Sequence, residues 1–427
     1  MKLTLILALV LVGCGSARFY EERPWLRPGA TTAAHLAERP APPLSGIDAM
    51  VRALLERSPV VAGARERWRA AVERVPQAAR LPDPVLEYMW VPAPEGAEHR
   101  VELRQMIHFP TKIAAMDAEA RAMARGAAVG FDMAVRDAVT RLREAYAELW
   151  YTQRALEVLA QNEELAQALS QIGASRLGAS KGLLFDVARA QAQLATLAFD
   201  RVTLTEQREV AIARINGLLG RPAGAPLVAD TLPDRSVALD PDALLAQALV
   251  TQQEVSMLDE DIRAAEARLD GAASAWAPDL MVGGMFMQRD GGEPMAGVMV
   301  GLSVPLWGYA NSAGISEAEA LLGASIHAKD AALGSLEARL REAVYQVRNA
   351  TRIRVLYDGE LLPHAIAVLR NAEQARAGDD AMYADLLEAR SLYQSLSLAR
   401  ERAVADQYAA IARLERLIGA PLPEVGP

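Results

Sequence analysis

Apolar residues at Phe131, Val135, Ala138, Leu142, Ala145 and Leu149 step by four and three, and Leu156 and Leu159 continue the step. That is heptad spacing, so one face of this segment packs in coiled-coil fashion. No strong breaker interrupts the run from Ile113 to about Ser175. About 60 helical residues at roughly 1.5 Å each predict a rod of roughly 90 Å, far longer than a globular domain needs. Leu333, Leu336, Leu340, Ala343 and Val347 repeat the spacing further on. There Pro363 is predicted to break or kink the helix, because it lacks the amide donor and clashes with the preceding turn.

A second periodicity, of two, occupies shorter stretches. Between Pro84 and Pro110, Leu86, Tyr88 and Trp90 share one face of a strand, and Val101, Leu103 and Ile107 share a face of another. Arg100, Glu102 and Arg104 point the opposite way from the latter set, and Pro92 to Gly96 supplies the turn. Between Asp279 and Pro305, Val298, Val300, Leu302 and Val304 share a face, with Asp290-Gly291-Gly292 as the turn. Apolar on one side and polar or small on the other, over about ten residues, suits a barrel strand. It equally suits soluble hairpins packed on the helices.

The two patterns recur in the same order. Leu81-Pro82-Asp83-Pro84 faces Ala277-Pro278-Asp279-Leu280, and Ile107-His108-Phe109-Pro110 faces Leu302-Ser303-Val304-Pro305. Arg141-Leu142-Arg143-Glu144-Ala145 faces Arg339-Leu340-Arg341-Glu342-Ala343. Leu218-Leu219-Gly220-Arg221-Pro222 faces Leu417-Ile418-Gly419-Ala420-Pro421. Four landmarks in one order at nearly one offset define an internal repeat. Each copy reads as helix, helix, two strands, long helix, long helix. The expected organisation is a signal peptide at 1–13, an extended tail at 14–44, a first repeat at 45–222, a linker at 223–241, a second repeat at 242–422 and a short tail at 423–427. Four strands do not close a membrane barrel, since the smallest have about eight. Open edges are not tolerated in lipid. If these strands span a membrane, several chains share one barrel.

Composition supports the helices and excludes some functions. Aromatics are 5% of the chain although 52% is hydrophobic, and alanine-rich runs such as 121–128 and 264–275 explain the difference. Alanine with Leu, Arg and Glu is the mixture of long packed helices. A net charge of −9 without a basic patch argues against nucleic acid as a partner. At the amino terminus Lys2 precedes an apolar run from Leu3 to Val12, and Leu11-Val12-Gly13-Cys14 fits the lipobox of bacterial lipoprotein precursors. The chemistry needs a thiol there, which is alkylated by a diacylglyceryl group before cleavage frees its amine. The alternative is an ordinary secretory signal with a cysteine at its cleavage site. The apolar run is too short to span a bilayer as a helix. Cys14 is the only cysteine, so an intrachain disulfide and a cysteine-based zinc site are excluded. Gly15 follows it rather than Asp, so nothing points to retention at the inner membrane.

No nucleophile elbow, P-loop, His-Glu-x-x-His or dinucleotide fingerprint is present, so no enzyme activity and no cofactor is expected. His35, His99, His108, His327 and His364 form no metal motif. Met281, Met285 and Met287 lie on one strand face, as do Met295 and Met299 on theirs. Thioether sulfur suits copper(I) or silver, yet methionine also simply fills apolar surfaces. Gly178 and Gly378 each end a long helix, where a left-handed C-cap is cheapest for glycine.

Taken together these residues resemble the TolC-like outer-membrane efflux protein family over residues 45–420. The carriers are the two copies, Leu81-Pro82-Asp83-Pro84 before a strand pair, and Gln105-Met106-Ile107-His108-Phe109-Pro110-Thr111-Lys112 at the entry to the long helix, where such proteins often show Gln…Pro-Phe-Pro-Gly-Lys. Thr111 departs from the usual glycine. The last carrier is Ala375-Arg376-Ala377-Gly378 followed by Asp385-Leu386-Leu387-Glu388-Ala389, with Arg176-Leu177-Gly178 and Asp186-Val187-Ala188-Arg189-Ala190 as counterpart. The resemblance implies a mainly α fold with a small β part: a long coiled-coil helical barrel below β-barrel strands, completed as a homotrimer. It implies an outer-membrane channel of a tripartite efflux pump, lipid-anchored through Cys14 and projecting into the periplasm. The implied partners are a periplasmic adaptor (membrane fusion) protein, an inner-membrane transporter of the RND type and outer-membrane lipid. Asp385, Glu388 and Asp186 then line the constriction at the periplasmic tip, whose turns hold Gly178 and Gly378; Arg189 stands where the first copy lacks an acidic residue. Asp385 and Glu388 as merely solvated helix residues is the alternative. The Pro-Asp-Pro, Phe-Pro-Thr-Lys and Leu361-Leu362-Pro363 stretches resemble the heavy-metal branch, making metal cations the leading cargo and small organic toxins the next. The competing reading is a periplasmic coiled-coil lipoprotein with a structural or adaptor role.

Overall fold

The computed structural model describes residues 44, 46–92, 96–178, 184–375 and 381–423. Cys14, Gly378 and His35 lie outside them. The elements are α1 (Ile47–Arg57), α2 (Pro59–Ala78), β1 (Val85–Val91), β2 (Glu98–Ile107), α3 (Pro110–Gly178), α4 (Leu184–Leu218), α5 (Pro241–Thr251), α6 (Gln253–Ala273), β3 (Leu280–Arg289), β4 (Met295–Leu302), α7 (Gly308–Leu356), α8 (Leu362–Ala375) and α9 (Ala381–Ile418). The order of helices and strands is the one the repeat predicts. The rod α3 has 69 residues, roughly 100 Å of helix. Among the described residues no helix is long and apolar enough to cross a membrane.

Two compact units emerge, and each draws on both copies of the repeat. The first comprises residues 64–132 and 253–333. Its sheet is one antiparallel meander in the order β1-β2-β3-β4. β2 of the first copy pairs with β3 of the second, Val101 opposite Phe286 and Ile107 opposite Leu280. The helical part packs Trp68, Val72, Val75, Ala120 and Ala124 around Phe131, whose ring stacks on Trp68 at 5.5 Å. The alanines let these helices approach closely. Ion pairs from Arg125 to Glu260 (2.7 Å), Arg268 to Glu119 (2.6 Å) and Lys329 to Asp259 (2.6 Å) fasten their rims.

The second unit comprises residues 46–63, 133–252 and 334–423 of those described. The heptad face of α3 delivers its core: Leu142, Tyr146, Leu149 and Leu159 are fully buried, with Ile215, Leu219, Leu336, Leu340 and Leu414. Tyr146 breaks the aliphatic pattern for a reason. Its hydroxyl accepts from the Asp230 amide at 3.0 Å and so ties the linker to α3. Burial raises its pKa to about 12. The linker is strapped further by Arg354 to Asp234, bidentate at 2.6 and 2.8 Å, and by Arg348 to the Leu239 carbonyl at 2.6 Å.

Left-handed glycine caps occur, but at a different landmark from the expected one. Gly220 (φ 64°) and Gly419 (φ 79°) follow α4 and α9, each with a proline two residues on. A Cβ on Gly220 would meet Pro59 Cδ at 3.2 Å and the Arg57 carbonyl at 3.3 Å, so shape and dihedral both demand glycine. Gly178 is the last residue of α3 and stays outside the left-handed region, with open space around it. The C-cap expectation for Gly178 is therefore corrected: it is a helical residue. Ahead of Pro363 the α-helical ladder is interrupted by one π turn, Tyr357–Leu361, closed by the Leu362 amide on the Tyr357 carbonyl. That shift of register accommodates a residue with no N–H.

Candidate functional site

The four strands make a sheet with two unlike faces. Cross-strand partners share a face, so the pairing assigns every side chain. One face holds Leu86, Tyr88, Trp90, Val101, Leu103, Val282, Phe286, Val298, Val300 and Leu302. The other holds Glu87, Glu98, Arg100, Glu102, Arg104 and a set of methionines and glycines. The exposures are the reverse of what water selects. Val298, Val300 and Leu86 are 89%, 70% and 70% exposed, while the Glu98 and Glu102 side chains are 17% and 18% exposed. A row of branched aliphatics left uncovered on one face is a surface made for an apolar surrounding.

The charged part of this second face is internally paired. Arg100 meets Glu98 at 2.8 Å and Glu102 at 3.8 Å; Arg104 binds Glu87 and lies 3.9 Å from Glu102; Arg289 reaches Glu98 at 3.5 Å. Beside it, β3 and β4 alternate methionine with glycine: Met281 opposite Gly301, Gly283 opposite Met299, Met285 opposite Gly297, and Met287 opposite Met295. Among the described residues neither the outer edge of β1 nor that of β4 carries a further strand. Those edges present unpaired backbone donors and acceptors, which invite another strand.

Where the sheet meets the rod, the two copies clasp each other. Asp279 Oδ1 accepts from the Phe109 amide (3.1 Å) and Lys112 Nζ (3.0 Å), and His108 Nδ1 lies 3.4 Å from Oδ2. Pro110 begins α3 immediately after, so the carboxylate sits at a helix N-terminus, where the dipole favours it. The Asp279 amide donates to Ser303 Oγ at 2.8 Å, and the Ser303 amide donates to the Asp279 carbonyl at 2.9 Å. Both motifs were legible, but their meeting was not. The repeat counterpart, Asp83, is 79% exposed and touches only Arg80, at 3.5 Å, among the pairings found. His99 is likewise engaged: its Nδ1 is 2.8 Å from the Tyr88 hydroxyl.

In the second unit Asp385 and Glu388 lie on α9, both exposed. Glu388 Oε2 is 4.0 Å from Arg189 Nη2, so the basic residue of the first copy faces the acidic residue of the second. α8 and α9 pack through Leu369, Leu386 and Ala389, with Tyr393 against them. Asp186 lies in α4, and its side chain is outside the described residues.

No model of a known protein family matches the chain, and no curated protein matches it. Solved structures do. The outer-membrane channel OprN superposes with a TM-score of 0.75 at 19% identity, over 88% of this chain and 90% of that one. A membrane protein from Pseudomonas aeruginosa gives 0.77 at 16% identity, over 88% and 90%. The outer-membrane protein VceC from Vibrio cholerae gives 0.75 at 16%, over 88% and 96%. The chain thus has the fold of the TolC-like outer-membrane efflux channels, a long helical assembly joined to a small antiparallel sheet.

Proposed function

We propose that the chain is one third of an outer-membrane channel, the exit duct of an efflux pump. The observation that supports this most is the sheet with its apolar face uncovered and both edges open. In lipid that face is solvated by acyl chains, and the open edges must close against other copies. Three copies would give a barrel of twelve strands, with the paired inner face lining water. The channel then takes its energy from an inner-membrane transporter of the RND type, reached through a periplasmic adaptor. Cys14 carries the lipid that holds each copy to the outer membrane. Asp385, Glu388 and Asp186 line the periplasmic constriction, beside the turns of Gly178 and Gly378, with Arg189 tempering the charge of Glu388. Metal cations are the cargo this reading favours.

The repeat gives the closure a register. β4 is the counterpart of β2, and β1 of β3. Carrying the β2–β3 pairing across the landmarks puts Val300 opposite Leu86, Val298 opposite Tyr88 and Ala296 opposite Trp90 of the next copy. All six fall on the apolar face, as closure requires; a slip of one residue would mix the faces. Asp83 then reaches the segment before α7 of the next copy, as Asp279 reaches the segment before α3 in its own. Directly paired Cα atoms lie about 4.5–5.5 Å apart, within disulfide range. Tyr88→Cys with Val298→Cys should give a covalent trimer on oxidation, and Tyr88→Cys with Leu302→Cys should not. Trimers that conduct ions in planar bilayers support the reading. A monomer released from membranes by removing the lipid, without conductance, sinks it in favour of a structural lipoprotein.

A further inference from the structure

Every methionine of the sheet lies on its inner face. Met89, Met106, Met281, Met285, Met287, Met295 and Met299 all fall there, and the apolar face holds none. A residue used only as apolar filler would serve equally on the outer face, where leucine, valine and aromatics stand instead. Val85 and Val91 share this face, so it admits aliphatics, yet it holds all the thioethers of the sheet.

The register gathers these thioethers into two groups. Met106 is directly opposite Met281, and Met299 is diagonal to Met281 across the β3–β4 ladder. Met287 is directly opposite Met295, and Met285 is diagonal to Met295. Opposite residues have Cβ atoms about 4.5–5.5 Å apart, and diagonal ones remain within reach of long side chains. The intervening glycines make room. A Cβ on Gly297 would come within 3.1 Å of Met285 Cε, one on Gly301 within 3.1 Å of Met281 Cε, and one on Gly283 within 3.5 Å of Met299 Cε. A side chain at Gly297 or Gly301 would crowd the thioether it faces, and at Gly283 a Cβ would first clash with the Leu103 carbonyl at 2.8 Å. The neighbouring arginines are engaged with glutamates, so their charge is locally balanced. Arg100 Nη2 also lies 3.8 Å from Met287 Sδ, which leaves the Met106, Met281 and Met299 group the less encumbered of the two. Among the described residues no three His, Cys, Asp or Glu side chains are placed to hold a harder metal.

We propose that this face is a thioether path for soft monovalent cations, copper(I) or silver(I), with two three-methionine stations. It rests on the channel reading, which makes this face the lumen, and it specifies the cargo. Neutral ligands in a water-filled duct bind weakly enough to release, as conduction requires.

The test uses the full mature protein with any free thiol alkylated, in planar bilayers bathed in potassium nitrate. Silver(I) is expected to interrupt the open-channel current at micromolar levels, where magnesium does not. Replacing Met106, Met281 and Met299 together with Leu conserves volume and should raise the half-blocking silver concentration about tenfold at unchanged potassium conductance. The Met285, Met287 and Met295 to Leu triple should raise it less. A conducting wild type indifferent to silver, or blocked at the same concentration as both triples, overturns the proposal and leaves the channel standing. If no trimer conducts, the channel reading fails. Silver competition binding to the detergent-solubilised chain then judges the stations alone, with equal affinity in wild type and triples counting against them.

Discussion

The two hairpins of the sheet agree on one face and differ on the other. On the apolar face, Leu86, Tyr88, Trp90, Val101 and Leu103 of the first are matched in kind by Val282, Phe286, Val298, Val300 and Leu302 of the second. On the opposite face the first hairpin carries Glu87, Glu98, Arg100, Glu102 and Arg104 beside Met89 and Met106, and the second carries mainly methionine and glycine. Two copies of one plan therefore agree in kind on the apolar face and differ on the opposite one. The helical ends show the same habit. Asn216 and Glu415 are repeat counterparts, both buried, and both hold the segment seven residues on. Asn216 Nδ2 donates to the carbonyls of Ala223 (3.0 Å) and Ala225 (2.8 Å), whereas Glu415 accepts from the Leu422 amide (3.1 Å), Arg143 (2.6 Å) and Arg235 (2.8 Å).

The largest effect should come from crossing the faces. Val298→Arg places a charge at mid-strand on the apolar side and should cost about 2–4 kcal/mol of membrane stability. Met299→Arg, one residue on, should be tolerated. Yield of heat-modifiable trimers from membranes measures both, and equal yields would dissolve the distinction between faces.

Next is the clasp. Asp279→Ala removes charged hydrogen bonds to Lys112 and the Phe109 amide, and should lower stability by about 1.5–3 kcal/mol. The effect should appear in detergent-solubilised monomers as well as trimers. Asp83→Ala should leave the monomer unchanged and weaken only the trimer. Thermal unfolding at concentrations favouring each state separates the two, and a monomer equally sensitive to both substitutions contradicts the transferred register.

A smaller effect distinguishes the helix ends by pH. Burial alone would raise the Glu415 pKa, but Arg235, the Leu422 amide and Arg143 hold it below the ordinary carboxylate value. A depressed folded pKa means stability that is present above the unfolded value, near 4.5, and lost as pH falls through the folded one. Glu415→Gln should flatten that acid limb, while Asn216→Asp should not steepen it in the same way, because its partners are carbonyls. Melting temperature against pH is the measurement, and an unchanged acid limb in Glu415→Gln removes the contrast.

The smallest change concerns the proposed constriction residues. Asp385→Ala with Glu388→Ala should reduce cation preference in reversal-potential measurements, and Arg189→Ala should increase it. Unchanged selectivity in both would take these residues off the pore wall.

Sequence alone determined the elements and their order. Heptad spacing gave α3, alternation gave the two faces of each strand, and proline and glycine marked element ends. These are local signals, carried by residues a few positions apart. The roles expected of Cys14 and Gly378 rest on sequence still. Only the tertiary structure decided that β2 pairs with β3, joining the copies, that Met106 belongs with the methionines of the second hairpin, that Asp279 clasps Lys112, and that the left-handed caps belong to Gly220 and Gly419. Alternation tells a strand which side faces where, but not its neighbour or its register, because those depend on contacts between residues nearly two hundred positions apart.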